Sequence, residues 1–384
     1  MMASFESRRP RRISLRLSAW LLFPVVAACQ TPRDAQTLEA QGNWAGAEAE
    51  WRALARAHPG DYRLWTSLGI AVAHQGRYAE AIEAYQKALS LRPRAPQAEF
   101  NLGVAYFKSG NLEKAVPPLE AAAAQLPHTP QVNLLLGMSL YGTGKYSAAV
   151  PLLERAHEAD PGNRELSLVL AQAYLWAGDY GKAKLQFQSM LERDPDSPQV
   201  HMLLGEACDA LGNTGDAIAE FNIAAQSGTL PDAHFGLGYL LWKAKRYEDA
   251  APEFRSELSS DPKYYKALAY LGDSEFRLGQ YAAARRDLYA AASLHDILWI
   301  TRFDLGKLEE HDRNWPGAVR QYKRAIELDS TRPEAHYRLA RVFQAEGDGV
   351  SARKELGVVA HLQERDLEDS ILKVTGATPS APRQ

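Results

Sequence analysis

A Leu-Gly pair recurs along this chain with a period of 34 residues, at Leu68-Gly69, Leu102-Gly103, Leu136-Gly137 and Leu204-Gly205, with Leu170-Ala171 filling the place between. Ala81, Ala115, Ala149, Ala183 and Ala217 keep the same period, as do Pro93, Pro127, Pro161 and Pro195. Within one period, Trp65 to Pro93 reads as two helical segments. Trp65, Leu68 and Gly69 open the first, and Gly76 supplies the positive φ that reverses the chain. Ala81, Tyr85 and Ala88 form one stripe of the second, and Pro93 closes it. Gly69 and Ala81 are small where two antiparallel helices must come close. A lone helical hairpin cannot bury both stripes, so such a unit folds only against neighbours.

The spacing and the residues match the signature W-x2-L-G-x2-Y, then A-x3-F, then P, and the chain resembles the tetratricopeptide-repeat family. That resemblance implies an all-α fold, a right-handed superhelical solenoid of about ten helix-turn-helix units, whose usual work is binding other proteins. Full units are expected at 62–95, 96–129, 130–163, 164–197 and 198–230, then at 231–264, 265–298, 299–332 and 333–362. An atypical first unit precedes them, with Gly42, Trp44, Ala47, Trp51 and Pro59 in register. Its short polar first helix, roughly Arg33 to Gln41, suits a terminal unit with a wet outer face. Gly228 and Pro231 mark a joint where a small change of angle is expected without a domain break. Arg313 stands where glycine is usual, and the stretch His295-Asp296-Ile297 lacks the closing proline. A longer helix from about Ser351 to Val374 covers the last unit, and residues 376–384 read as a disordered tail. The expected division is therefore a signal peptide at 1–28, a solenoid at 29–362, a capping helix at 363–375 and the tail.

At 384 residues a compact protein would usually split into domains, but a solenoid escapes that limit because each unit packs only on its neighbours. The formal charge of −3 leaves no basic footprint for nucleic acid. Five arginines and one glutamate fall in the first 28 residues, so the remainder is more acidic than the whole. The two cysteines, Cys29 and Cys208, form no CxxC and no evident pair. Arg8, Arg9, Arg11, Arg12 and Arg16 precede an apolar run from Leu17 to Ala28, which is shorter than the ~20 residues a bilayer span needs. Val26-Ala27-Ala28-Cys29 resembles the lipobox of bacterial lipoproteins. The resemblance implies cleavage before Cys29, lipidation of Cys29 and an exported, membrane-anchored product on the periplasmic side of the envelope. Gln30 in place of aspartate favours the outer over the inner membrane.

No Gly-rich phosphate loop, HExxH or GxSxG occurs, and the Leu-Gly glycines are packing residues inside helices. His201, His234 and His336 share the register of Trp65, which assigns them to a helix interface rather than to a metal. Cys208 shares the register of Tyr106 and Tyr174 and reads as a buried thiol. No cofactor, metal or small-molecule substrate is expected, and no catalytic residue. The candidate partner-binding residues lie on the free side of the first helices, spaced 4 and then 3 apart. They are Phe100, Val104 and Phe107; Leu134, Met138 and Tyr141; Leu168 and Leu175 with Gln172 between; and, beyond an acidic gap at Glu206 and Asp209, Phe235, Tyr239 and Trp242. Two readings stay open for them: an apolar groove for a partner segment on the concave side, or core residues packed on the adjacent helix. Thr66 and Ile70 replace the Lys/Asn pattern of carboxylate-clamping repeats, so that function does not carry over. The expectation is a non-enzymatic, lipid-anchored interaction scaffold of the cell envelope. A regulatory arm of an enzyme complex whose catalytic subunit is a separate polypeptide is the alternative.

Overall fold

The computed structural model describes residues 33–375 apart from residue 229, with side chains from Asp34 to Glu368. The expected signal segment 1–28, Cys29 and the tail 376–384 lie outside the described residues. The described residues form twenty helices and no strand, in ten consecutive antiparallel pairs.

The chain divides into two compact units, one ending at Pro195 and one beginning at Asp196. The first unit holds α1 (Arg33–Ala40) with α2 (Trp44–Ala57), α3 (Tyr62–His74) with α4 (Tyr78–Leu91), α5 (Pro96–Lys108) with α6 (Leu112–Gln125), α7 (Pro130–Gly142) with α8 (Tyr146–Ala159), and α9 (Arg164–Ala177) with α10 (Tyr180–Leu191). The second holds α11 (Pro198–Ala210) with α12 (Thr214–Gln226), α13 (Ala233–Lys243) with α14 (Tyr247–Ser260), α15 (Tyr265–Arg277) with α16 (Tyr281–Leu294), α17 (Trp299–His311) with α18 (Trp315–Leu328), and α19 (Pro333–Ala345) with α20 (Gly349–Thr375). Inside each unit every helix packs on the next one in the chain, and successive first helices such as α5 and α7, or α13, α15 and α17, also touch.

Local chemistry starts and stops the helices. Prolines open α5, α7, α11 and α19 at a place where the missing N–H costs nothing. The side chains of Asn43, Asn163 and Asn314 accept from the backbone N–H three residues on and cap α2, α9 and α18. Between α5 and α6 the chain turns on Gly110, at φ 78°, with Asn111 N–H bonded to the Tyr106 carbonyl and Gly110 N–H to the Phe107 carbonyl. The turn expected to be degraded keeps this geometry. Arg313 takes φ 58°, and the bonds from Asn314 to Glu309 and from Arg313 to Glu310 are all made. A non-glycine residue in that region costs roughly 1–2 kcal/mol, which the two bonds and the Asn314 side-chain bond to Glu309 offset.

One contact repeats through the core. Ala81, Ala115, Ala149, Ala183, Ala217, Ala250, Ala284 and Ala318 are fully buried on the second helices. One turn further on, Tyr85, Leu119, Leu153, Phe187, Phe221, Phe254, Leu288 and Tyr322 are buried too. The helical glycines exist to admit these larger side chains: a Cβ on Gly69 would lie 2.4 Å from the Tyr85 ring, and one on Gly306 would lie 2.5 Å from Tyr322.

The joint before α13 carries two left-handed residues, Gly228 at φ 63° and Asp232 at φ 67°, and α13 is shortened to 11 residues. Helices α12 and α14 still pack against it, so no break in the stack falls there. The proline missing after α16 is answered by charge: the Asp296 carboxylate accepts from Arg302 at 2.6 Å and Arg324 at 2.9 Å and fixes the loop. The longer helix expected from about Ser351 to Val374 is α20, which runs unbroken from Gly349 to Thr375, so 363–375 is its C-terminal part and not a separate helix.

Candidate binding face

The candidate groove residues divide by burial. Phe100, Val104, Met138, Tyr141, Leu175 and Phe235 are buried, and Gln172 with them, which corrects their reading as open groove positions. The reason is the closeness of successive first helices. Tyr141 donates its hydroxyl to the Gln172 side chain of the next first helix at 2.7 Å and packs against Tyr146 and Trp176. Phe235 is enclosed by Tyr264, Phe254 and Tyr270, with ring centroids 4.9, 5.9 and 6.1 Å away. Phe107, Leu134, Leu168, Tyr239 and Trp242 remain half-buried. Only the last two belong to a ring cluster with charged groups around it, in the second unit.

That cluster is built from α13 and α15. Tyr239 and Trp242 lie 5.8 Å apart at a shallow 24° angle, and Tyr270 meets both edge-on at 5.3 and 4.9 Å. Edge-to-face contact of this kind adds stability beyond burial alone. The Trp242 indole donates to Asp273 Oδ2 at 2.6 Å. Asp273 also receives Arg277 Nε at 3.2 Å and Lys307 Nζ at 3.4 Å. On the α11 side, Lys243 pairs with Asp209 at 2.6 Å.

The electrostatics follow from burial. Desolvation raises the Tyr239 hydroxyl above its ordinary range, and raises Tyr270 further with help from Tyr239 and Asp273. Burial would also raise Asp273, but Lys307, Arg277 and the Trp242 N–H together hold its carboxyl below the usual value. Glu206, half-buried on α11, is pushed up to about 7 by desolvation and then by Asp232.

Sequence reasoning passed over Tyr270, Asp273 and Lys307. Asp273 and Lys307 follow Tyr239 at intervals of 34 residues and so share its place on their first helices. Reading that row for any residue type, instead of for apolar ones alone, finds them. The three register histidines bond within their own helix pairs: His201 with Glu220 at 2.6 Å, His234 with Glu253 at 2.7 Å and His336 with Glu355 at 2.6 Å. Cys208 is buried. Among the described residues no group of three or more His, Cys, Asp or Glu side chains could hold a metal ion, and no helix is long and apolar enough to cross a membrane.

Tetratricopeptide-repeat family models match residues 72–138, 140–207 and 177–237, residues 34–96 and 235–294, and residues 314–347. The chain belongs to the tetratricopeptide-repeat family. No curated protein matches it. Among solved structures it is similar to a chain of Naa15/Naa10 bound to HypK-THB, at 16% identity and TM-score 0.47, over 88% of this chain and 64% of that one. It is also similar to MamA from Desulfovibrio magneticus RS-1, at 18% identity and TM-score 0.40, over 44% of this chain and 96% of that one. A third is the human IFIT1 dimer with PPP-AAAA, at 17% identity and TM-score 0.40, over 86% and 89% of the two chains.

Proposed function

We propose that the protein is a non-enzymatic scaffold that seats a protein segment against Tyr239 and Trp242, while a lipid on Cys29 holds it at a bacterial envelope membrane, with the outer membrane as its place. The observation that carries the binding half is a pair of stacked rings that stay only partly buried after the neighbouring helices have packed. Large rings with few rotors are frequent binding anchors, because little entropy is lost when they are covered. The anchoring half rests on the sequence Val26-Ala27-Ala28-Cys29.

Because Tyr270 leans on both rings, truncation to alanine would test packing and binding together. Tyr239→Leu with Trp242→Leu keeps most of the buried volume and removes the aromatic faces. Partners co-purified from native membrane extracts should be retained roughly thirtyfold less well, the equivalent of a ~2 kcal/mol hot-spot loss. Equal retention by a variant that melts like wild type removes these rings from the account.

A further inference from the structure

Beside the two half-buried rings lies a buried charge cluster. Asp273 and Asp304 are both fully buried, and Lys307 between them is 6% exposed. The Lys307 ammonium lies 3.4 Å from Asp273 Oδ1 and 2.5 Å from Asp304 Oδ1, and is covered by the Phe276 and Phe303 rings at 4.1 and 5.3 Å. Putting two carboxyls and an ammonium out of water is expensive, and hydrophobic side chains of the same volume would commonly be as stable.

The two carboxyls differ in what they receive. Asp273 accepts from the Trp242 indole, from Arg277 and from Lys307, the donor set of an ionised carboxylate. Asp304 has one cation against it, the Lys307 ammonium 2.5 Å from Oδ1 but off hydrogen-bond geometry, and its Oδ2 receives no hydrogen bond. A fully buried carboxylate with one oxygen left without a donor, sharing its one cation with a second carboxylate, costs more than a buried carboxylic acid. We infer that Asp273 is a positioning residue that sets the Trp242 indole on the binding face as an ionised carboxylate, while Asp304 beside it is carried as a neutral acid. This rests on the reading of Tyr239 and Trp242 as the partner-binding face.

The surroundings agree with the division of charge. Burial, and then the charge of Asp273, raise Asp304 well above the carboxylate range against the pull of Lys307. The other titratable groups facing the cluster are Tyr239 from α13, Tyr247 from α14 under the Arg277 guanidinium, Tyr270 and Arg277 from α15, and Tyr322 from α18. Burial raises the Tyr239, Tyr270 and Tyr322 hydroxyls, so these three are not competing anions at neutral pH. With Asp273 ionised, Arg277 and the Lys307 ammonium shared with Asp304 face its Oδ1, and the indole takes Oδ2.

Asparagine copies a protonated aspartic acid in shape and charge, so it separates the two carboxyls. The full chain, labelled with ¹⁵N, gives indole N–H signals from its eight tryptophans, and Trp242→Phe identifies the one from Trp242. Asp304→Asn should leave the Trp242 signal in place and the melting temperature close to wild type. Asp273→Asn should move the signal upfield and speed its hydrogen exchange by roughly tenfold or more, the loss of one charge-assisted bond. If Asp273→Asn does not fold, Asp273→Asn with Lys307→Met restores the charge balance and carries the same expectation. The inference is overturned if the Trp242 signal ignores the Asp273 substitution, or if Asp304→Asn disturbs it as strongly. Partner retention by wild type, measured in parallel, judges the binding face separately, so a true indole anchor on a face that binds nothing would be recognised as such.

Discussion

Glu206 shows how a single side chain on this face registers its surroundings. Its ordinary value of 4.5 is pushed to about 7 by burial and then by Asp232. Between those two values the folded state keeps the proton that the unfolded state has released. Rising pH therefore favours unfolding across that window, and the group's contribution to stability, fully present below about 4.5, is gone above about 7. Glu206→Gln removes the titration. Relative to wild type it should gain about 1–2 kcal/mol between pH 4 and pH 8, a full shift being worth more but reduced here by partial exposure. Urea unfolding of both proteins at the two pH values checks this, and parallel pH profiles would show that Glu206 is ordinary. A carboxyl so placed also gains from a cation laid beside it, which makes Glu206 a sensitive reporter of what the face binds.

The helix pair is the element in which folding and sequence correspond most closely. Gly137 on α7 faces Leu153 of α8, where an added Cβ would come within 2.9 Å of Leu153 and 3.3 Å of the Leu152 Cβ. Gly137→Leu should cost ~1–3 kcal/mol by overpacking. Hydrogen exchange should rise first in α5 to α8, because strain in stacked repeats passes mainly to neighbours. Unchanged protection there would mean that α7 and α8 are not so close. Pairs of this kind were readable from sequence because their contacts lie within one period: Gly69 with Tyr85, Gly306 with Tyr322. The binding face was less so. Whether Phe235 is open or closed depends on Tyr264 and Tyr270 one unit later, and Val104 and Met138 are buried by the approach of successive first helices. A spacing rule identifies a helix side but carries no information on how near the next helix stands. Asp273 and Lys307 were missed for the opposite reason, as polar residues in a row searched for apolar ones. Arg313 and Lys245 show that a turn can keep its left-handed residue after losing its glycine.

At the scale of the whole molecule, a stack of helix pairs with two half-exposed rings is given meaning by where it is held and what it touches. The location is tested through Cys29. Cys29→Ser should abolish incorporation of labelled fatty acid and move the protein from membrane to soluble fractions, since stable anchoring takes more than one acyl chain at roughly 0.8 kcal/mol per buried CH₂. A serine variant still bound to membranes, from a wild type that takes up no label, would contradict the anchor. The partner is tested most directly by placing a photo-reactive benzoylphenylalanine at position 239 and, separately, at position 185, where Leu185 is 69% exposed on the second helix α10. Irradiation of living cells should yield discrete protein adducts from position 239, reduced when Trp242 is changed to Leu, and none of the same size from position 185. Adducts from position 185 with none from position 239 would contradict the proposed face, and with it the central claim that this repeat protein holds its partner against Tyr239 and Trp242.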